Sequence, residues 1–483
     1  MLMYAIKLSF FAVFSIAMAV AANHRLFFTD TGKRIIVFWV CIIPFIFIVR
    51  NEMLNMLVCS LLLYYLNGKD NSRIMAIVFF IAVLGAVPDW SGYIVSIPGV
   101  NYLIRLSFYK VAVLVLLLPI FLSLNTFSRV KWNLTDTLVC LFVIYTTLLA
   151  FRDGKVTTLM RFFVDSALIY IIPYFVFTRV IKSIQDLHYC ALGFLFLSLL
   201  IAMLFVVSQA VKVDLYTEFN PYSSFQYFRE YRSGFLRLSG PFNGVLSGFV
   251  LLSGYLSLEV LKENSVVKRI PCWMFFLVCV LCVMFGGSRA ALFGFMLGVG
   301  IYFYFVKLTG TKRILFGVLF VLLLFLEFVF GLSAYFLYTD EYGTFDYRVE
   351  VYRASWEFLK FHLFFGSETY LQSGYFDHLV TGLGIVDIVS AYLQIALRYG
   401  AIGLLLFLGM YLSVLIPLVK YLFVLKKFTS DFAKYVVMYF ALNIVLMFII
   451  STTSMISLFA IFIVMNIAIG RVVFSSKELR AQV

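Results

Sequence analysis

Apolar runs of about 20 residues recur from one end of this chain to the other, and each is long enough to cross roughly 30 Å of hydrocarbon as a helix. Lipid offers backbone N–H and C=O groups no partners, so a chain built mainly of such runs is restricted to a helical bundle. Breaker residues and run lengths place spans near 4–21, 35–49, 52–66, 74–88, 106–124, 134–151, 162–178 and 187–209. Further spans fall near 241–260, 271–287, 290–306, 314–332, 401–419, 435–450 and 454–470, so the expected fold is all-α and polytopic with about 14–15 transmembrane helices. The composition, 63% hydrophobic with only 13% charged, leaves no stretch for a soluble domain. Residues 1–483 therefore read as a single transmembrane domain, interrupted by two long connections at 210–240 and 333–400. The start, "KLSFFAVFSIAMAVAANHR", has the short apolar core and small residues of a secretory signal, but is read as a retained first span.

The formal charge of +14 does not imply nucleic acid, because Lys and Arg are scattered between spans rather than gathered on one surface. Contact with anionic lipid headgroups explains them better. Most of the 38 Lys and Arg fall in the connections 22–34, 67–73, 125–133, 179–186, 261–270, 307–313, 418–434 and the tail from 471. The positive-inside bias makes that set cytoplasmic, the C-terminus included, and places both long connections on the outer face. Seven cysteines, Cys41, Cys59, Cys140, Cys190, Cys272, Cys279 and Cys282, lie in or beside apolar segments without metal-ligand spacing. No disulfide, structural metal or cofactor is expected.

Basic residues on the outer face run against the topogenic bias and call for another reason. They comprise Arg152 and Arg161 in "FRDGKVTTLMRFF", Arg229, Arg232 and Arg237 in "YFREYRSGFLRLSGPFNG", Arg289 in "GGSRAALFGFMLG", and Arg348 and Arg353 in "DYRVEVYRASWEF". Arginines at a membrane edge are costly and seek an anionic partner. Guanidinium forks match phosphate oxygens, so Arg161, Arg237, Arg289, Arg348 and Arg353 are candidates to hold a lipid phosphate or pyrophosphate. Simpler roles compete. Arg289 can snorkel to headgroups, Arg237 stands before an ordinary Gly-Pro turn, and "DYRVEVYRASWEFLKFHLFFG" reads as an interfacial amphipathic helix with charges paired at Glu350, Arg353 and Glu357. For a base the outer loop offers His378, with Asp377 and Asp387 as rivals; a solvated histidine is the plain alternative. No Asp-x-Asp motif or His/Cys cluster points to an ion-dependent transferase.

The order of these elements resembles that of the bacterial O-antigen polymerase and O-antigen ligase superfamily of multispanning glycosyltransferases. The likeness covers mainly residues 230–410. It rests on "RLSGPFNG" with Arg237, on "GSRAALFG" with Ser288 and Arg289, and on "DYRVEVYRASWEFL" opening a long outer loop. It continues through "FFGSETY" and ends in "SAYLQIALRYGAIGLLLF", where Tyr392, Leu393, Gly400 and Gly403 fit the pattern. Ligases of the superfamily usually carry a histidine just before the last "YL"; this chain has "VSAYL", which favours a polymerase unless His378 supplies the base. The resemblance implies a GT-C-like membrane enzyme of the bacterial inner membrane, acting at the periplasmic face without metal or cofactor. It would transfer an oligosaccharide from an undecaprenyl-pyrophosphate donor to a lipid-linked acceptor sugar, with a chain-length regulator as a further partner. His378, Asp387 and Arg289 would then be catalytic. The loop tyrosines and phenylalanine Tyr222, Phe225, Tyr227, Tyr231, Tyr370 and Tyr375 would stack on sugar rings. Transfer to a lipid acceptor of the ligase kind, or transport of a lipid-linked sugar, are the alternatives.

Overall fold

The computed structural model describes residues 2–22, 26, 29–49, 51–68, 72–88, 91–97, 100–123, 132–216, 231–232, 234–262, 267, 271–330, 344–380, 385–424, 430–455 and 457–475. Tyr222, Phe225, Tyr227 and Arg229 lie outside these residues, as does the tail from 476. The helices are α1 (Leu2–Ala22), α2 (Asp30–Ile48), α3 (Glu52–Asn67), α4 (Arg73–Val83), α5 (Phe108–Ser123), α6 (Leu134–Leu149), α7 (Val156–Val180) and α8 (Ile184–Val211). They continue as α9 (Gly244–Leu261), α10 (Cys272–Phe285), α11 (Arg289–Tyr302), α12 (Gly310–Phe330), α13 (Thr344–His362), α14 (Ala391–Val424), α15 (Asp431–Ile450) and α16 (Ser457–Ser475). Among the described residues nine helices are long and apolar enough to cross a membrane, and five shorter apolar helices accompany them. The chain is an all-α polytopic membrane protein.

Successive helices run in opposite directions, so the bundle has two ends. One, the loop end, carries the start of α11, the end of α15 and α13. Two antiparallel hairpins also sit there: β1 (Gly92–Ile97) with β2 (Val100–Ser107), and β3 (Tyr231–Arg232) with β4 (Phe235–Leu236). The first hairpin occupies the connection between the expected spans 74–88 and 106–124, to which the sequence reading assigned no element.

The centre of the bundle, formed by α8, α9, α15 and α16, is buried on nearly all sides. Small residues let the helix backbones approach. A Cβ on Gly254 would lie 2.0 Å from Ser198, and one on Gly248 would lie 2.7 Å from Ala291. At the end opposite the loops, Asp136 is fully buried between two buried arginines, 3.2 Å from Arg179 and 2.7 Å from Arg471. The Tyr174 hydroxyl donates to the same carboxylate at 2.8 Å, so α6, α7 and α16 share one charge-assisted staple.

The 333–400 connection folds on itself. The inner face of α13, with Val351, Ala354 and Phe358, closes over Tyr370, Phe376, Leu379, Ile388 and Leu397 to make a separate small core above the bundle. This cap spans 344–397, apart from 381–384, which lie outside the described residues.

Candidate active site

The opening of α11 is set by its glycines. After α10 ends, the Gly286 N–H donates to Cys282 O and the Gly287 N–H to Met284 O; Gly287 then reverses the chain with φ at 61°. Ser288 caps the next helix, its hydroxyl accepting from the Ala291 N–H at 3.2 Å. Arg289 therefore occupies the first helical position with an exposed side chain. A cation there opposes the helix dipole, while an anion bound to its guanidinium would be attracted by both.

Arg237 is brought to the same turn. The Leu238 N–H donates to Phe285 O at 2.9 Å, and the Phe235 and Phe285 rings meet at 5.2 Å. Leu236 and Leu238 are buried while Arg237 between them is exposed, so strand alternation turns its side chain away from the core. The buried Asp214 carboxylate fixes the segment by accepting from the Ser239 N–H at 2.7 Å and the Gly240 N–H at 3.3 Å. Gly244, where α9 begins, faces Gly286 so closely that a Cβ would lie 2.6 Å from its carbonyl oxygen.

The C-terminal end of α15 joins this turn to the cap. Phe293, one turn into α11 from Arg289, packs its ring on Phe448 at 5.1 Å. The preceding residue, Met447, accepts from the Tyr392 hydroxyl at 2.9 Å, and the Met455 N–H donates to Gln394 Oε1 at 2.7 Å. Between them runs the half-buried hydroxyl-rich turn Ser451, Thr452, Thr453 and Ser454. Neither Gln394 nor this turn stood out in the sequence. A Ser-Thr run between two spans looks like any membrane turn until its place between α11 and α14 is known.

Asp387 stands just ahead of α14. Its N–H donates to the Tyr347 hydroxyl at 2.9 Å, and the same hydroxyl lies 3.3 Å from its carbonyl oxygen. Asp387 is exposed as a residue, but partial desolvation raises its carboxyl above the usual carboxylate range, and the neighbouring Arg348 guanidinium opposes that rise. Arg348 thus has Asp387 nearby, where the sequence offered only Asp346.

The remaining candidates stand elsewhere. Arg353 is tied to Glu350 at 2.6 Å on the exposed face of α13, and Lys360 takes Glu357 at 2.6 Å, the plain reading of that helix. His378 is exposed in the short turn Asp377–Leu379, between the buried Phe376 and Leu379. Arg161 lies on α7, which packs on β2 and α6; the next residue, Phe162, meets the Arg398 guanidinium at 5.1 Å. Tyr370 is buried in the cap core and is not free to stack on a sugar, while Tyr231 and Tyr375 are exposed.

A second feature escaped the sequence reading altogether. The helix α14 breaks at Gly400, with φ at 71° and ψ at −173°. The peptide groups freed by the break are taken up by the segment that follows α13. The Ala401 N–H donates to Leu363 O at 2.7 Å, the Ser367 N–H to Leu397 O at 2.8 Å, and the Tyr145 hydroxyl to Tyr399 O at 2.8 Å. Arg152 donates to the carbonyls of Arg398 and Phe365, so this loop-end arginine has a structural role. Gly366 and Gly400 interlock: a Cβ on Gly366 would lie 2.4 Å from Leu397 O, and one on Gly400 would lie 2.1 Å from Phe364 O. The adjoining crevice is small and half open, and is lined by Arg152, Phe162, Glu368, Arg398 and Tyr399.

Among the described residues no group of three His, Cys, Asp or Glu side chains is placed to hold a metal. A protein-family model described as "O-Antigen ligase" matches residues 274–408, from α10 through the Arg289 turn and the cap to just beyond the Gly400 break. No curated protein matches the chain. The match covers less than half of the chain and leaves Arg237 outside it. Over residues 274–408 the protein is similar to the O-antigen ligase family of membrane glycosyltransferases.

Proposed function

We propose that the protein is a membrane glycosyltransferase that moves an oligosaccharide from an undecaprenyl-pyrophosphate carrier to a hydroxyl of a lipid-linked acceptor sugar, with its loop end facing the periplasm. The observation that carries this reading is the Leu238–Phe285 bridge, which sets two exposed arginines, Arg237 and Arg289, on either side of one backbone contact at a helix N-terminus. Both guanidinium groups take pyrophosphate oxygens and neutralise the charge that grows as the bond from the anomeric carbon to phosphate oxygen breaks. The acceptor oxygen forms the new bond to that carbon, and Asp387 takes the acceptor's proton. A carboxyl raised by partial desolvation is a stronger proton acceptor than an ordinary aspartate, and the Arg348 guanidinium favours its ionised form. Gln394 and the Ser451–Ser454 turn, between the two groups, offer hydrogen bonds for sugar hydroxyls.

We read the acceptor as another lipid-linked repeat unit, because the position before Tyr392 holds the buried Ala391 instead of a histidine. The family match is equally consistent with a second reading, in which the acceptor is a finished lipid and His378 serves as base. Purified protein in detergent, given a lipid-pyrophosphate-linked repeat unit with EDTA present, separates these. A product ladder supports the polymerase. A single transfer only when a finished lipid acceptor is added supports the ligase, and flipping of the donor without transfer refutes the enzyme reading.

A further inference from the structure

The cap exposes its most apolar segment where water would least favour it. At the last turn of α13 and directly after it, Phe361 is 74% exposed, Leu363 46%, Phe364 61% and Phe365 56%. The backbone of this segment is drawn inward: Leu363 O accepts from the Ala401 N–H, Phe364 O from the Tyr145 hydroxyl, and Phe365 O from Arg152. The outward face of α13 continues the patch with Tyr352 and Trp356. Contiguous exposed apolar surface of this kind marks a docking face.

The level of the patch identifies its partner. From Gly400 to Val419 the helix α14 carries no charge, between Arg398 at one end and Lys420 at the other. At about 1.5 Å per residue that stretch measures roughly 30 Å, the thickness of the hydrocarbon core, so the Gly400 joint sits at its loop-end boundary. The joint's other wall is α6, whose Leu141, Ile144 and Leu148, three and four residues apart, are exposed on one face beside the half-buried Tyr145. Because Tyr145 donates to both Phe364 O and Tyr399 O, the Phe361–Phe365 segment is continuous with that lipid-facing stripe. Aromatic side chains concentrate at this depth, where ring and headgroup meet.

We propose that Phe361, Leu363, Phe364 and Phe365, with Tyr352 and Trp356 of α13, are seated in the headgroup and upper acyl region of the loop-end leaflet, so that the cap is anchored to the bilayer as well as to the bundle. The partner is the lipid surface itself. The test places the photo-crosslinking residue p-benzoylphenylalanine at Phe364, at Trp356, at the lipid-facing Leu405 and at the exposed cap residue Ser373. Each protein is reconstituted in phosphatidylethanolamine and phosphatidylglycerol vesicles, and adducts are read by mass spectrometry. The expected result is lipid adducts from positions 364, 356 and 405 and none from 373. With Leu405 reporting correct insertion, the absence of lipid adducts at both 364 and 356 overturns the proposal. So does crosslinking of those positions to a second copy of the chain.

Discussion

Replacing Gly400 with alanine tests the joint between the cap and α14. At φ 71° and ψ −173° the backbone lies in a region open essentially to glycine alone, and holding alanine there costs about 1–3 kcal/mol. The added Cβ would lie 2.1 Å from Phe364 O, a backbone atom that cannot rotate away, so the joint must open. Opening forfeits the Ala401–Leu363 and Ser367–Leu397 bonds, each about 0.5–1.5 kcal/mol. The change in the closed-to-open balance is the strain that the closed joint would carry, about 1–3 kcal/mol before the clash is added, or roughly one to two orders of magnitude at least. Hydrogen exchange in lipid nanodiscs reads it directly: the Ser367 and Ala401 amides should lose protection by that factor while the core of α15 stays protected. Gly374→Ala is the matched control, since its φ is 82° but nothing lies within 4 Å of the new Cβ. Equal protection in the two variants would falsify the interlock.

Other outcomes follow from the same geometry. Tyr145→Phe removes the hydroxyl from two carbonyls and should weaken the joint by about 1–2 kcal/mol, measured by the same exchange, without changing the Ser288 cap. If Asp387 is the base it must be ionised to act, so activity falls as pH drops through its raised pKa. Arg348→Ala removes the group that holds that pKa down and should shift the acid limb of kcat to higher pH, whereas Asp387→Asn should abolish activity at every pH; a limb unmoved by Arg348→Ala assigns the base elsewhere. At the opposite end of the bundle, Asp136→Asn strands Arg179 and Arg471 as buried cations and should cost about 3–5 kcal/mol in thermal or denaturant stability. Arg353→Gln breaks only an exposed pair and should cost less than about 1 kcal/mol.

What the sequence made legible follows from the solvent. Membrane thickness imposes a length on every span, so the helical bundle and the Arg289 turn could be located from apolar runs and a Gly-Gly-Ser break. Charges spaced three apart on α13 likewise announced the Glu350–Arg353 pair. Pairings between distant residues were not legible. Gly366 and Gly400 each look like an ordinary loop or helix glycine, and only their contact shows why neither has room for a side chain. Arg152 reads in the sequence only as one more basic residue of the outer face, because sequence cannot show that two backbone carbonyls occupy its guanidinium. Arg237 and Arg289 were named as candidates, but the bridge between them depends on a strand bond from Leu238 to Phe285 that no spacing predicts. The break at Gly400 hid the start of α14 for a related reason: a span was expected from 401, whereas the helix begins at Ala391 and bends where the cap takes up its free peptide groups.

If Arg237 and Arg289 together bind a lipid pyrophosphate, equilibrium binding of undecaprenyl pyrophosphate to the purified protein in detergent, with EDTA present, reads it without any chemistry. Undecaprenyl monophosphate serves as the comparison ligand. The pyrophosphate should bind more tightly, and Arg237→Ala and Arg289→Ala should each weaken it by about 10–100-fold, the value of a charge-assisted hydrogen bond of about 1.5–3 kcal/mol. Arg289→Lys should recover only part of that loss, because an ammonium keeps the charge and not the two-pronged geometry. Equal affinity for the two lipids, unchanged in both alanine variants, would contradict it.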